Sequence, residues 1–165
     1  MGFTRSRSDV RTIHDLLSRA EKIAHDSGDE LPGAEHLLLS ALQLPDGTAR
    51  RAFQRIEVDP DDLTAAIATA HAEALARIGL LDPLDPDPYQ GPGSKLYRAK
   101  PSADQTFHVA AALSKEPGSP RLLGAHVVQA VARQSTGTAA RALAALRIDP
   151  AALDAAAAQE INRAP

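Results

Sequence analysis

The sequence predicts an all-α fold made of two four-helix repeats related by pseudo-twofold symmetry. Three observations carry that expectation. The segment GTARRAFQRIEVDPDDL (47–63) aligns without gaps with GTAARALAALRIDPAAL (137–153) at an offset of 90, and eight of the 17 positions are identical. Gly, Arg and Asp-Pro matching in register mark an internal duplication. Apolar residues recur at helical spacing, and no stretch alternates convincingly as a strand would. Hydrophobic content is 44% but aromatic content only 3%, so the core must come from Leu, Ile, Val and Ala, which suits helices packed at close range.

Taken in order, the first helix is expected to begin near Ser8 or Asp9, whose side-chain oxygens can cap the free amides of a first turn. Val10, Ile13, Leu16, Leu17, Ala20, Ile23 and Ala24 fall on one face. Gly28 suits a left-handed helix end. A second helix opens after Pro32-Gly33 and runs to about Gln43, and a third spans roughly Thr48 to Ile56. Asp59-Pro60 starts the fourth, with Asp as cap and Pro at the first helical position, where its missing N–H costs nothing. Asp149-Pro150 repeats that signal. The expected core includes Leu37, Leu38, Phe53 and Ile56, with second-half counterparts Val127, Val128, Leu143 and Leu146.

The predicted organisation is repeat 1 over 1–78, a Pro/Gly-rich linker over 79–101 and a degenerate repeat 2 over 102–165, together one compact domain. The linker stretch cannot form regular helix, and Leu96 and Tyr97 are candidates to pin it to a repeat. The 165 residues carry a formal charge of -3, which argues against a general nucleic-acid binder. Arg5, Arg7 and Arg11 read as a solvated terminus. The absence of cysteine excludes disulfides, thiolate zinc sites and cysteine nucleophiles. No apolar run approaches the roughly 18 residues that span a bilayer, and no signal peptide follows Met1. The expectation is a cytoplasmic protein without membrane attachment.

The stretch LPGAEHLLLSAL (31–42) raises the functional question, because Glu35 and His36 stand at the mouth of an apolar helix. RLLGAHVVQAVA (121–132) keeps Gly124, Ala125 and His126 but has no Glu. Pairing Gly33 with Gly124 gives an offset of 91, against 90 at His36/His126, so one residue is read as missing from the second copy. Glu35 and His36 are the candidate ligand- or peptide-binding residues. A catalytic role lacks an inventory: Ser40 sits in no nucleophile elbow. A metal role lacks ligands, since neighbours on a helix point about 100° apart, unlike the i, i+4 pair of HExxH, and His14 and His25 belong to another helix. No catalytic residue, metal or cofactor is expected. The bland reading remains that Glu35 favours the helix start through the macrodipole and that His36 bonds to a neighbouring loop. If Glu35 recognises a ligand, its carboxylate should be solvent-accessible.

The motif Gly-small-Glu-His-Leu-Leu-Leu, followed by Gly-x-Ala-x-x-x-Leu in two four-helix repeats, resembles the N-terminal domain of the Clp ATPases, especially the ClpC type. The likeness is strong in GAEHLLLSALQLPDGTARRAF and weaker in repeat 2, where PGSP (117–120) interrupts the approach to Gly124. It implies a helical module that receives substrates and adaptor proteins for an unfoldase motor. In some members the motif Glu binds phosphorylated arginine, which would here fall to Glu35 alone. No G-x-x-x-x-G-K-[ST] loop occurs, and GPGSK (91–95) lacks the spacing to cradle phosphates, so ATP binding is not expected. Met1 reads as a natural start and INRAP shows no continuation into a motor, so a stand-alone relative is expected. Its implied partners are Clp ATPase or protease components, their substrates and adaptors, and phosphoarginine-bearing or cationic peptides. The alternative is a small enzyme or small-ligand-binding protein that reuses the fold.

Overall fold

The structure, a computed structural model, describes residues 2–77 and 98–165, with side chains from residue 7 onward. Among them are eight helices and no strand: α1 Gly2–Asp26, α2 Ala34–Leu42, α3 Thr48–Arg55, α4 Pro60–Arg77, α5 Pro101–Leu113, α6 Gly124–Ala132, α7 Thr138–Ala145 and α8 Pro150–Arg163. The expected linker lies outside the described residues as far as residue 97, as do Leu96 and Tyr97.

From residue 28 onward the halves correspond at an offset of 90 throughout. Left-handed backbone recurs at Gly28 and Gly118 (φ 80 and 90°) and at Glu57 and Arg147 (φ 58 and 55°). Both Asp-Pro signals start helices. Asp59 accepts from the amide of Asp61 at 2.9 Å, and Asp149 from that of Ala151 at 3.0 Å. The inferred gap is therefore corrected. The residue preceding α2 is Gly33 and the residue preceding α6 is Leu123, so the counterpart of Gly33 is Leu123, not Gly124, and the counterpart of Glu35 is Ala125.

The two repeats interleave. α3 packs on α8 and α4 on α7, while α2 and α6 meet at the centre. Leu37, Leu38, Phe53, Val127, Val128 and Leu143 are buried there as expected. Ile56 and Leu146 are only half-buried against that core, because each follows the last turn of its helix. Gly124 makes the central approach possible, since a Cβ on it would stand 3.0 Å from the Ala41 carbonyl oxygen and from the Ala49 Cβ.

α1 departs from expectation at its start. It begins at Gly2, not at Ser8 or Asp9, and Asp9 accepts instead from the Leu122 amide of the other repeat at 3.0 Å. Val10, placed on the apolar stripe, is 64% exposed. The reason is length: α5 begins at Pro101, the counterpart of Arg11, so α1 continues beyond the unit that the duplication shares. Similar exchanges tie the repeats together at the start of α6, where Asp46 accepts from Gly124 N at 3.2 Å and Thr48 Oγ1 from Ala125 N at 2.9 Å. Helix N-termini leave donors without intrahelical partners, and here the opposite repeat supplies the acceptors.

Candidate functional site

The two histidines do the same local work. His36 Nδ1 accepts from the Gly33 amide at 2.9 Å, and His126 Nδ1 from the Leu123 amide at 3.0 Å. Each occupies the third helical position and bonds back to the residue before the helix, the reciprocal half of a capping box. The bond expected from His36 to a neighbouring loop is made to Gly33, the last residue of the loop between α1 and α2. An Nδ1 that accepts leaves the neutral ring protonated on Nε2. In repeat 2 that proton finds Ser119 Oγ at 2.9 Å. Burial lowers the His126 pKa to about 4.

In repeat 1 the same scaffold holds different chemistry. Asp29 stands where Ser119 does, Glu35 where Ala125 does, and His71 where Ile161 does. His36 Nε2 lies 3.4 Å from Asp29 Oδ2, and His71 Nδ1 lies 3.5 Å from the same oxygen. Lys100, which precedes α5, reaches Asp29 Oδ1 at 2.8 Å and stops 4.0 Å from Glu35 Oε1. Burial lowers the His36 pKa, and Lys100 and His71 push the same way, against the opposing pull of Glu35 and Asp29.

Glu35 is not solvent-accessible, contrary to the expectation for a recognition residue. It is only 5% exposed. Its carboxylate folds back over the helix entry into the space that the missing Gly33 side chain leaves, as the 2.6 Å separation between Oε1 and an ideal Cβ on Gly33 shows. No hydrogen bond from the described residues reaches it; the ionisable groups beside it are His36, with Nδ1 at 3.5 Å, and Lys100, at 4.0 Å. Asp29 Oδ2 is likewise buried without a hydrogen-bond partner. Two carboxylates thus share one ammonium group.

A pocket of about 380 Å³ opens beside this cluster between α1, α2 and α4. Its lining includes the apolar side chains of Ile23, Leu39 and Ile67 and, among its polar members, Asp26, Glu35, His36 and His71. Its counterpart between α5, α6 and α8 is about 240 Å³ and has Gln129 and Ile161 in place of Leu39 and His71. Of this set, sequence reasoning had selected Glu35 and His36 and missed Asp29, His71 and Lys100. The ungapped offset of 90 carries the signal for three of them, because it sets Asp29, Glu35 and His71 against Ser119, Ala125 and Ile161. Pairing the two glycines concealed it.

The comparisons with known proteins bear on this geometry. The Clp repeat (R) N-terminal domain family matches residues 11–94, just over half of the chain. The chain belongs to that family. The N-terminal domain of the caseinolytic protease associated chaperone ClpD from Arabidopsis thaliana has a similar fold, with a TM-score of 0.54 and 19% identity over 96% of each chain. Among curated proteins no relative matches. The chain is a Clp-related helical module, and among its described residues no helix is long and apolar enough to cross a membrane.

Proposed function

We propose that this Clp repeat module is a non-enzymatic protein- and peptide-binding unit, serving as adaptor, accessory or sequestering protein in Clp-dependent proteolysis in the cytoplasm. In this reading 1–78 and 102–165 act as one unit, and its ligands are Clp components, substrates or adaptors. The observation that carries the reading is the Glu35 carboxylate, buried without a hydrogen bond from the described residues on the wall of an open pocket, where the repeat-2 counterpart has Ala125 at that position. A buried charge lacking a close partner is costly. A guanidinium or ammonium group entering the pocket would offset that cost through a charge-assisted bond. The apolar walls would take the stem of an arginine, phosphoarginine or lysine side chain. One such site is expected per chain, since Ala125 offers no carboxylate at the counterpart position.

Fluorescence anisotropy with labelled arginine- and phosphoarginine-bearing peptides tests the proposal, with capture of Clp components from lysate alongside. Glu35→Ala should weaken peptide binding by about 1.5–3 kcal/mol, the range for a hydrogen bond to a charged group. Equal binding by the wild type and Glu35→Ala would remove Glu35 from the recognition site.

A further inference from the structure

The same cluster contains the elements of a metal site. Asp29, Glu35 and His36 each offer a ligand atom, all within 4.8 Å of one another, and His71 Nδ1 approaches Asp29 Oδ2 to 3.5 Å. We propose that Asp29, Glu35 and His71 bind one divalent transition-metal ion of the zinc type beside the repeat-1 pocket, with His36 as the positioning residue.

Four observations assign the roles. Lys100 donates only to Oδ1 of Asp29 and leaves the buried Oδ2 without a hydrogen-bond partner, faced by His36 and His71. Glu35 is buried to the same degree as a core residue, has no hydrogen bond from the described residues and lies on the pocket wall. The 3.5 Å between His71 Nδ1 and Asp29 Oδ2 matches the edge of about 3.4 Å that two ligands at 2.0–2.1 Å make around tetrahedral zinc. His36 has its Nδ1 lone pair committed to the Gly33 amide, so its Nε2 carries the proton and is no free ligand. Instead it faces Asp29 Oδ2 from 3.4 Å and orients that carboxylate, as outer partners of metal ligands do. Carboxylate and imidazole donors suit zinc or manganese, and the open pocket leaves room for water in the remaining position.

The internal duplication argues that these groups serve more than folding. Repeat 2 builds the same helix entry with the same capping histidine, yet has Ser119, Ala125 and Ile161 where repeat 1 has Asp29, Glu35 and His71. The scaffold therefore tolerates a set without charge, and the three metal-ligand types occur together in one copy only. This inference stands apart from the peptide-binding reading, although both draw on Glu35, so a bound metal and a cationic side chain should displace one another.

The test is calorimetric titration of chelator-treated protein with zinc chloride alone, and with cobalt chloride followed by its visible absorption. Expected is one saturable site per chain and a cobalt spectrum of low coordination number. Glu35→Ala, Asp29→Ser and His71→Ile, each installing the repeat-2 residue, should weaken binding at least 10-fold, as loss of even an outer partner typically does. The triple variant should abolish binding while keeping the helical circular dichroism. His14→Ala, at an exposed position on α1, should change nothing. Lys100→Met should tighten binding by removing a competing cation. Absence of saturable binding overturns the proposal. So does binding that survives the triple variant or is lost in His14→Ala, because the metal would then sit on surface histidines. Zinc binding with no peptide binding leaves this inference standing and removes only the peptide reading; the reverse result does the opposite.

Discussion

The Glu35 carboxylate occupies the volume that a side chain at position 33 would need: its two oxygens lie 2.6 and 2.7 Å from an ideal Cβ on Gly33. Gly33 has an ordinary extended backbone (φ -107°), so contact and not backbone strain excludes a larger residue. Repeat 2 resolves the same packing in the opposite sense, with Leu123 before the helix and Ala125 at the position of Glu35. The two positions form one volume that is filled from either side. Gly33→Ala should therefore cost about 1–3 kcal/mol, the range for overpacking, and Gly33→Ala/Glu35→Ala should recover most of that loss. Urea denaturation of the four members of this cycle measures the coupling, and additive effects would disprove it.

Glu35→Ala alone should leave the protein as stable as before or more stable. A carboxylate removed from water without a hydrogen bond costs folding free energy, and repeat 2 enters its helix with alanine there. Thermal unfolding in metal-free buffer is the check. A fall in Tm of several degrees would identify Glu35 as a structural group.

The pH dependence of stability follows from His126. Its folded pKa of about 4 lies below the ordinary value of 6.5 because the ring is buried. Below pH 6.5 the unfolded chain takes up a proton that the folded protein refuses, so stability falls as pH drops from 6.5 toward 4 and levels off below. The full difference is on the order of 3 kcal/mol by linkage. His36, lowered in the same direction by burial, adds to the loss. Denaturation midpoints at pH 7.5 and pH 5 report the sum, and His126→Gln should flatten the curve over that interval.

The contact between α3 and α8 depends on one buried acid. Glu160 receives hydrogen bonds from Arg51 Nε at 2.7 Å and from Arg55 Nε. Burial alone would raise the Glu160 pKa, but the two guanidinium groups outweigh it and hold it below the usual carboxylate range. Its contribution is therefore present at neutral pH and is lost as acid protonates it. Arg51→Ala/Arg55→Ala should cost about 1–3 kcal/mol at pH 7, since a buried acceptor is left without donors. The deficit should shrink only as acid below the usual carboxylate range protonates Glu160 and removes its charge. A deficit independent of pH would assign the loss to packing of the arginine stems.

Leu38 tests the core directly. It is fully buried where α2 meets its neighbours, so Leu38→Ala should cost about 2–5 kcal/mol through lost transfer energy and the cavity left behind. Leu143→Ala in the other repeat should fall in the same range. An effect under 1 kcal/mol at either position would remove it from the core.

The sequence by itself determined the helical class, the duplication, both Asp-Pro helix starts and most of the core. These properties depend on short-range physics, because capping and a 3.6-residue apolar period are read within one or two turns. It also singled out Glu35 and His36, since adjacent charged residues are conspicuous ahead of an apolar helix. Only the tertiary structure decided what surrounds them. Asp29 and Lys100 are separated by 71 positions in the chain, and their meeting depends on how the start of α5 docks beside α2. His71 enters from α4 through the same packing. The register between repeats was settled the same way: Gly33 and Gly124 look equivalent as letters, but one admits a carboxylate and the other admits the neighbouring helices. Local pattern fixes which residues can form a helix, while the close packing of whole helices fixes which charges are buried together, and in this protein the candidate site arises from the second.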